Sequence, residues 1–194
     1  MAHKLSIVIP IYNETGTLEE ILRQVKAVDI GIEKEILLID DHSTDGTRRI
    51  LRRIEKSGDE LIRVFYHPVN RGKGATLRTG FQHVTGDITI IQDADLEYDP
   101  QDYPKLIQPI LNGEADVVYG SRFMIPGQRS LFRSYVANKI LTSFSNLFTQ
   151  LNLTDMETCY KVFRRSLLDG IVLKEKRFGI EPELTAKLAK KGAI

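Results

Sequence analysis

Short apolar runs, each closed by a polar cluster, alternate with helical patterns along most of this chain, and few folds accept that rhythm. Leu5 to Ile9, Glu35 to Ile39, Ile62 to Tyr66, Ile88 to Ile91 and Asp116 to Tyr119 read as strands. Several are apolar at consecutive positions, the pattern of parallel strands covered on both faces. Between them, Leu18, Ile21, Leu22 and Val25 recur at helical spacing behind Thr17 and Glu20, which have the spacing of a capping box. Ile50, Leu51 and Ile54 mark a second helix that Gly58 stops, and Ala75 to Val84 a third that ends near Gly86. Tyr103 to Leu111 is a fourth, in which Pro109 predicts a kink or an early stop. The alternation predicts an α/β protein, a mostly parallel sheet flanked by helices. After Gly120 come a loop-like stretch to Ser130, a long helix over Leu131–Leu151, a strand near Tyr160 to Phe163, and a last helix over Glu181–Lys191.

In sheets of this kind ligands bind beyond the carboxyl ends of the strands, and the polar clusters fall there. They are Pro10-Ile11-Tyr12-Asn13-Glu14, Asp40-Asp41 with Ser43, Asp45 and Gly46, Asn70-Arg71-Gly72-Lys73-Gly74, Asp93-Ala94-Asp95 and Gly120-Ser121-Arg122. Each alone has a plain reading as turn or cap chemistry. Together, at successive strand ends, they predict one shared crevice. Asp93 and Asp95 are the hardest to read as a turn. Alternating aspartates after a buried strand aim two carboxylates into one space, which is costly without a cation between them. An all-oxygen site of that kind suits Mg²⁺ or Mn²⁺ carrying a substrate diphosphate. The 70–74 run lacks Walker-loop spacing, but glycines beside Arg71 and Lys73 at a helix start could cradle a diphosphate as readily as form a plain loop.

Composition removes several classes. A formal net charge of +1 gives no basic field for nucleic acid. The single cysteine, Cys159, excludes an internal disulfide, fits a reducing compartment and reads as buried packing. His3, His42, His67 and His83 have no metal-ligand spacing. The N-terminal apolar run is too short for a signal peptide, and no stretch reaches the ~20 apolar residues of a membrane span.

The runs Ser6–Glu14, Asp40–Thr47, Asn70–Gly74, Asp93–Glu97, Gly120–Arg122 and Thr154-Asp155 with Tyr160–Phe163, taken in order, resemble family 2 glycosyltransferases. The resemblance is closest to the dolichol-phosphate mannose and dolichyl-phosphate glucose synthase branch. It implies a single domain over 1–194 with a GT-A (Rossmann-like) fold, a nucleotide-sugar half over 1–122 and an acceptor half over 123–194. It further implies an inverting, metal-dependent transfer of a hexose from a donor of the GDP-mannose or UDP-glucose type to a polyprenyl phosphate. Pro10, Tyr12, Asn13, Glu14, Asp40, Asp41, Asn70, Lys73, Asp93 and Ala94 match donor-binding positions. Asp93, Asp95 and Glu97 match the metal motif, Glu97 standing where relatives often have Gln. Arg122 and Arg133 match positions facing the acceptor phosphate. Relatives usually continue past the final Lys-Lys-Gly, so the chain reads as shortened at its C-terminus.

A phosphate acceptor is already anionic and needs cationic guides such as Arg122 and Arg133, whereas a saccharide hydroxyl would need a base, for which Asp155 or Glu157 is available. Asp95, Asp155 and Arg122 are therefore the candidate catalytic residues, Asp155 having an equal reading as a turn residue. The stripe Phe132, Val136, Ile140, Phe144, Leu147, Phe148 and Leu151 is either core or a surface for a membrane or a polyprenyl chain. The expected setting is cytoplasmic, peripheral at the cytoplasmic face of a membrane. A saccharide-hydroxyl transferase and an inactive sugar-nucleotide-binding relative are the alternatives. A nucleotidyltransferase lacks its Gly- and Arg-rich loop here, and a receiver domain would leave Asp93/Asp95 unexplained.

Overall fold

The computed structural model describes residues 3–124, 132–177 and 179–194, with backbone only for 124 and 132–135. Six strands form one sheet in the order β3-β2-β1-β4-β6-β5. β1 (Lys4–Ile11), β2 (Glu33–Asp40), β3 (Ile62–Tyr66) and β4 (Ile88–Ile91) are mutually parallel. β6 (Lys161–Arg164) runs antiparallel between β4 and β5 (Val117–Tyr119). Leu5, Ile7, Val8 and Ile9 of β1, and Ile36 to Ile39 of β2, are wholly buried, as consecutive apolar positions in central parallel strands require.

Helices α1 (Leu18–Ala27), α2 (Thr47–Lys56), α3 (Lys73–His83), α4 (Tyr103–Leu111), α5 (Phe132–Thr149) and α6 (Ile180–Lys190) connect and cover the strands. α1 buries Leu18, Ile21, Leu22 and Val25, the stripe its spacing predicted. The capping box does not form. Thr17 donates its hydroxyl to Glu14 Oε2 at 2.6 Å, and Glu20 instead pairs with Arg23. α4 ends at Leu111, two residues beyond Pro109, whose carbonyl accepts the amides of Glu114 and Ala115. α3 lies so close to the sheet that a Cβ on Gly80 would stand 2.4 Å from Val8 Cγ1.

After β1, β2 and β3 build outward on one side, the chain crosses back so that β4 joins β1 on the other. That reversal opens a crevice at the carboxyl ends of β1 and β4, where adjacent loops turn apart.

Candidate active site

A cavity of about 480 Å³ occupies that crevice, large enough for a small ligand. Pro10, Ile11, Tyr12 and Glu14 wall it from β1 and its loop, and Asp41 from the end of β2. Asn70, Gly72, Lys73 and Thr76 come from the start of α3, and Asp93, Ala94 and Asp95 from the end of β4. Arg177 closes it from the segment before α6. Eight of the ten residues expected to meet a donor, Pro10, Tyr12, Glu14, Asp41, Asn70, Lys73, Asp93 and Ala94, are thus brought together, and Asn13 and Asp40 are not.

Those two shape the wall from behind. Asn13 adopts φ 59°, a left-handed conformation that Asn tolerates. Its amide donates to Ser43 Oγ at 2.9 Å, and its Oδ1 accepts the Thr44 amide at 2.8 Å. The β1 and β2 loops are thereby stapled together. Asp40 is wholly buried against Arg48 Nε at 2.6 Å and accepts the Ser43 amide, so its charge is neutralised inside the protein.

Asp41 also binds the protein first. One carboxylate oxygen receives the Arg71 amide at 2.8 Å and the other the Gly72 amide at 2.6 Å, while His67 Nδ1 lies 2.8 Å away. The amides that could have cradled a diphosphate are therefore committed to Asp41. Arg71 does not line the cavity. The glycines instead admit residues 175–176 across the start of α3: a Cβ on Gly72 would meet Lys176 O at 2.4 Å, and one on Gly74 Glu175 O at 2.4 Å. Ala75 N donates to Lys176 O, and Arg78 Nη1 to the carbonyls of Leu173 and Glu175. This strap carries Arg177 to the cavity. Its guanidinium forms no ion pair among the described residues. Nothing in the local sequence marks Arg177, because a basic residue in a polar stretch has no periodicity or spacing to betray it.

The acidic pair stands on a firm base. Gln92 is buried, its Oε1 accepting the hydroxyls of Tyr103 at 2.7 Å and Tyr160 at 2.9 Å, and its Nε2 donating to Asp93 O. The Asp93 amide donates to Cys159 Sγ at 3.1 Å, and burial pushes that thiol's pKa well up, so it packs rather than reacts. Asp95 Oδ1 accepts the Glu97 amide at 3.1 Å, with Leu96 between them at φ 63°. Glu97 does not line the cavity.

The cation required beside Asp93 is Lys73, 2.9 Å from its Oδ1. Burial works against the Lys73 charge, but the carboxylates of Asp93 and Glu181 outweigh it and raise its pKa. Negative potential persists nevertheless. Glu14's pKa is raised, by burial first and then by the charges of Asp95, Asp93 and Asp45. No three His, Cys, Asp or Glu side chains among the described residues converge as a ready-made cage for a metal. Two carboxylate groups on the wall of an acidic, substrate-sized cavity do fit a hard divalent cation whose remaining ligands are substrate oxygens and water.

Beyond β5, Arg122 grips Asp155 through Nε at 2.9 Å and Nη2 at 3.0 Å, and Asn138 Nδ2 donates to the same carboxylate at 2.6 Å. Asp155 is buried. Burial opposes its charge, but Arg122 and Asn138 prevail and hold its pKa below the usual carboxylate range. Both oxygens of Asp155 are thus occupied by donors, and the carboxylate holds the Arg122 guanidinium in place. The Arg133 side chain and residues 125–131 lie outside the described residues.

The described part of the α5 stripe is not core, and the Phe132 side chain lies outside the described residues. Asn138 and Thr142 face inward and are buried, while Ile140, Phe144, Leu147 and Phe148 are exposed. Asn146 also turns in, exchanging hydrogen bonds with the backbone of Leu153. Polar residues at 138, 142 and 146 share one helical face, a signal that the sequence contained.

This architecture, a six-stranded mostly parallel sheet with its site at the strand-order reversal, is that of a GT-A glycosyltransferase. The chain belongs to glycosyl transferase family 2, whose sequence profile matches residues 6–172. It is 34% identical over 191 residues to the undecaprenyl-phosphate 4-deoxy-4-formamido-L-arabinose transferase of Klebsiella pneumoniae subsp. pneumoniae, covering 97% of this chain and 57% of the relative. The enzyme of the same name from Salmonella enteritidis is 33% identical over 190 residues, with the same coverage. The chain thus spans a little over half the length of these relatives. Among solved structures it resembles glucosyl-3-phosphoglycerate synthase from Mycobacterium tuberculosis in complex with Mn²⁺, UDP-glucose and phosphoglyceric acid. That match has TM-score 0.75 and 24% identity, covering 98% of this chain and 67% of the other. Staphylococcus aureus TarS in complex with UDP aligns at TM-score 0.67 and 22% identity, covering 98% of this chain and 56% of the other.

Proposed function

We propose that the chain carries the catalytic domain of an inverting, metal-dependent hexosyltransferase that moves a sugar from a nucleotide-diphospho-sugar to a polyprenyl phosphate. The observation that carries this reading is the meeting of Tyr12, Asp41, Lys73, Asp93, Asp95 and Arg177 in one cavity at the β1/β4 reversal. The polyprenyl acceptor is supported by the relatives named for undecaprenyl-phosphate transfer.

Tyr12, about half exposed, offers an aromatic face to a nucleobase at the mouth, and Asp41 a wall beside the ribose. Asp93 and Asp95 would hold Mg²⁺ or Mn²⁺, as the solved neighbour with Mn²⁺ and a sugar nucleotide suggests. Bound there, the cation would neutralise charge on the leaving diphosphate. Arg177, whose guanidinium forms no ion pair among the described residues, adds a cationic donor to the same oxygens. An acceptor phosphate oxygen attacks the anomeric carbon from the far face. The carbon–oxygen bond to the β-phosphate breaks, and its electron pair leaves with the nucleoside diphosphate. Arg122, held by Asp155, steers the acceptor phosphate, which needs no base. The exposed apolar face of α5 would lie along the acceptor's hydrocarbon or the membrane that holds it. Among the described residues no helix is long and apolar enough to cross a membrane.

The test is thermal stabilisation by UDP, GDP, UDP-glucose and GDP-mannose, with and without Mn²⁺, on the chain and on an Asp93→Asn/Asp95→Asn variant. A ligand at a hundredfold over its Kd adds ~2.7 kcal/mol. Metal-dependent stabilisation by one nucleotide, absent in the variant, is expected. No stabilisation by any of them would overturn the reading.

A further inference from the structure

Behind Lys73 lies a buried group of charges that the transfer step does not use. Lys73 Nζ, 2.9 Å from Asp93, is also 3.1 Å from Glu181 Oε1. Glu181 belongs to the first turn of α6 and is buried, yet its second oxygen, Oε2, has no hydrogen-bond partner among the described residues. A buried acceptor without a donor is costly and calls for an explanation. The nearby buried ammonium does not supply one: Lys161 donates to the carbonyl of Thr158 and sits 5.2 Å over the Tyr119 ring. Lys73, Cys159, Lys161 and Glu181 also wall a small cavity of about 10 Å³.

Asp93 has two claimants on the reading above, Lys73 and a divalent cation. A lysine released from Asp93 into a buried site without a counter-charge would be strongly disfavoured. Here the released ammonium already touches a second carboxylate that has an oxygen to spare and room beside it. We infer that Glu181 is a positioning residue for Lys73, taking over the ammonium when a divalent cation claims Asp93. Metal affinity then depends on a carboxylate that never touches the metal. This inference rests on the metal-dependent reading and fails if that reading fails.

Glu181→Gln leaves Lys73 with Asp93 as its one charged partner, so the metal must strip it bare. The experiment is titration with Mn²⁺ alone, followed by its paramagnetic resonance signal, on the wild-type chain and on Asp93→Asn, Glu181→Gln, Lys73→Met and Glu181→Gln/Lys73→Met variants. Binding to Glu181→Gln is expected to weaken at least tenfold. Lys73→Met removes the competitor and binds tighter than wild type, and the double variant recovers to near the Lys73→Met value. That rescue is the readout which a merely structural role for Glu181 would not give. Unchanged affinity in Glu181→Gln, or a double variant as weak as Glu181→Gln, overturns the inference while leaving the metal site standing. Should Glu181→Gln not fold, Lys73→Met decides by itself, since equal or weaker Mn²⁺ binding contradicts competition at Asp93. Wild-type binding that is absent, or that survives in Asp93→Asn, would bring down the metal reading and this inference together.

Discussion

The amide of Gly72 donates a 2.6 Å hydrogen bond to Asp41, which with the neighbouring Arg71 amide ties the end of β2 to the start of α3 on the cavity wall. Gly72 has φ +87°, and a Cβ there would stand 2.4 Å from the carbonyl oxygen of Lys176. Gly72→Ala must therefore bear both a left-handed backbone, costing ~1–3 kcal/mol, and a clash with backbone that cannot yield locally. The expected result is a lower urea midpoint and a displaced strap, so nucleotide affinity falls even where the variant stays folded. Equilibrium unfolding with parallel nucleotide titration measures both.

Arg177 is the one strap residue on the cavity wall, and its partner is expected to be the diphosphate. Arg177→Ala should lose ~1.5–3 kcal/mol of nucleoside-diphosphate affinity, the range for a charged hydrogen-bonding partner. It should lose much less for the monophosphate. Lys176→Ala, with the same loss of charge one residue away, should bind both nearly as wild type does. Calorimetric titration of all three proteins with the di- and monophosphate of the preferred base checks the point.

The fold was legible in the sequence because parallel strands buried on both faces write themselves as solid apolar runs, as in the interior strands β1, β2 and β4. The crevice was legible because polar residues after buried strands have few other reasons to cluster. What each of those residues touches was not legible. Asp40, Asp41 and Asn13 look alike in sequence, yet the first faces Arg48, the second holds backbone amides and borders the cavity, and the third staples two loops. Arg177 reaches the site because two glycines let a distant segment cross α3, a contact between residues about a hundred positions apart. Whether the α5 stripe was core or surface stayed open in the sequence because periodicity reports that a helix has two faces, not which one is covered.

Asp155 separates the two acceptor chemistries. Asp155→Asn keeps the shape but weakens the grip on Arg122 and leaves that guanidinium less firmly aimed. For a phosphate acceptor the expected effect is a KM for acceptor raised about tenfold, some 1.4 kcal/mol, with kcat changed little. A hydroxyl acceptor that used Asp155 as its base would instead lose kcat by the ~10²–10⁴-fold of general-base removal. Steady-state kinetics with varied acceptor distinguish the outcomes.

Glu35 gives the fold an acid limit. Burial alone would raise its pKa, but hydrogen bonds from Ser6 and from the amide and hydroxyl of Thr85, with the charge of Lys4, hold it at about 2. Its folded value lies below the unfolded 4.5, so its contribution is complete above that value and disappears as pH falls through about 2. The urea midpoint of wild type should fall between pH 5 and pH 2 more steeply than that of Glu35→Gln, which starts lower at pH 7.

Phe144 and Phe148 lie on one face of α5, 58% and 81% exposed, with Ile140 and Leu147 beside them. Exposed aromatic side chains contribute little to stability, so a Phe144→Ser/Phe148→Ser variant should unfold within ~0.5 kcal/mol per site of wild type. Nucleotide binding should be unchanged, because neither residue lines the cavity. If the face meets the acceptor's hydrocarbon, transfer to a long-chain polyprenyl phosphate in vesicles should drop severalfold, while transfer to a short soluble analogue should not. If the face meets only the membrane surface, the variant should lose vesicle sedimentation yet regain full long-chain activity in detergent. Equal activity and equal sedimentation for both proteins would leave the exposed stripe without a lipid role, and α5 would then present it to another protein segment.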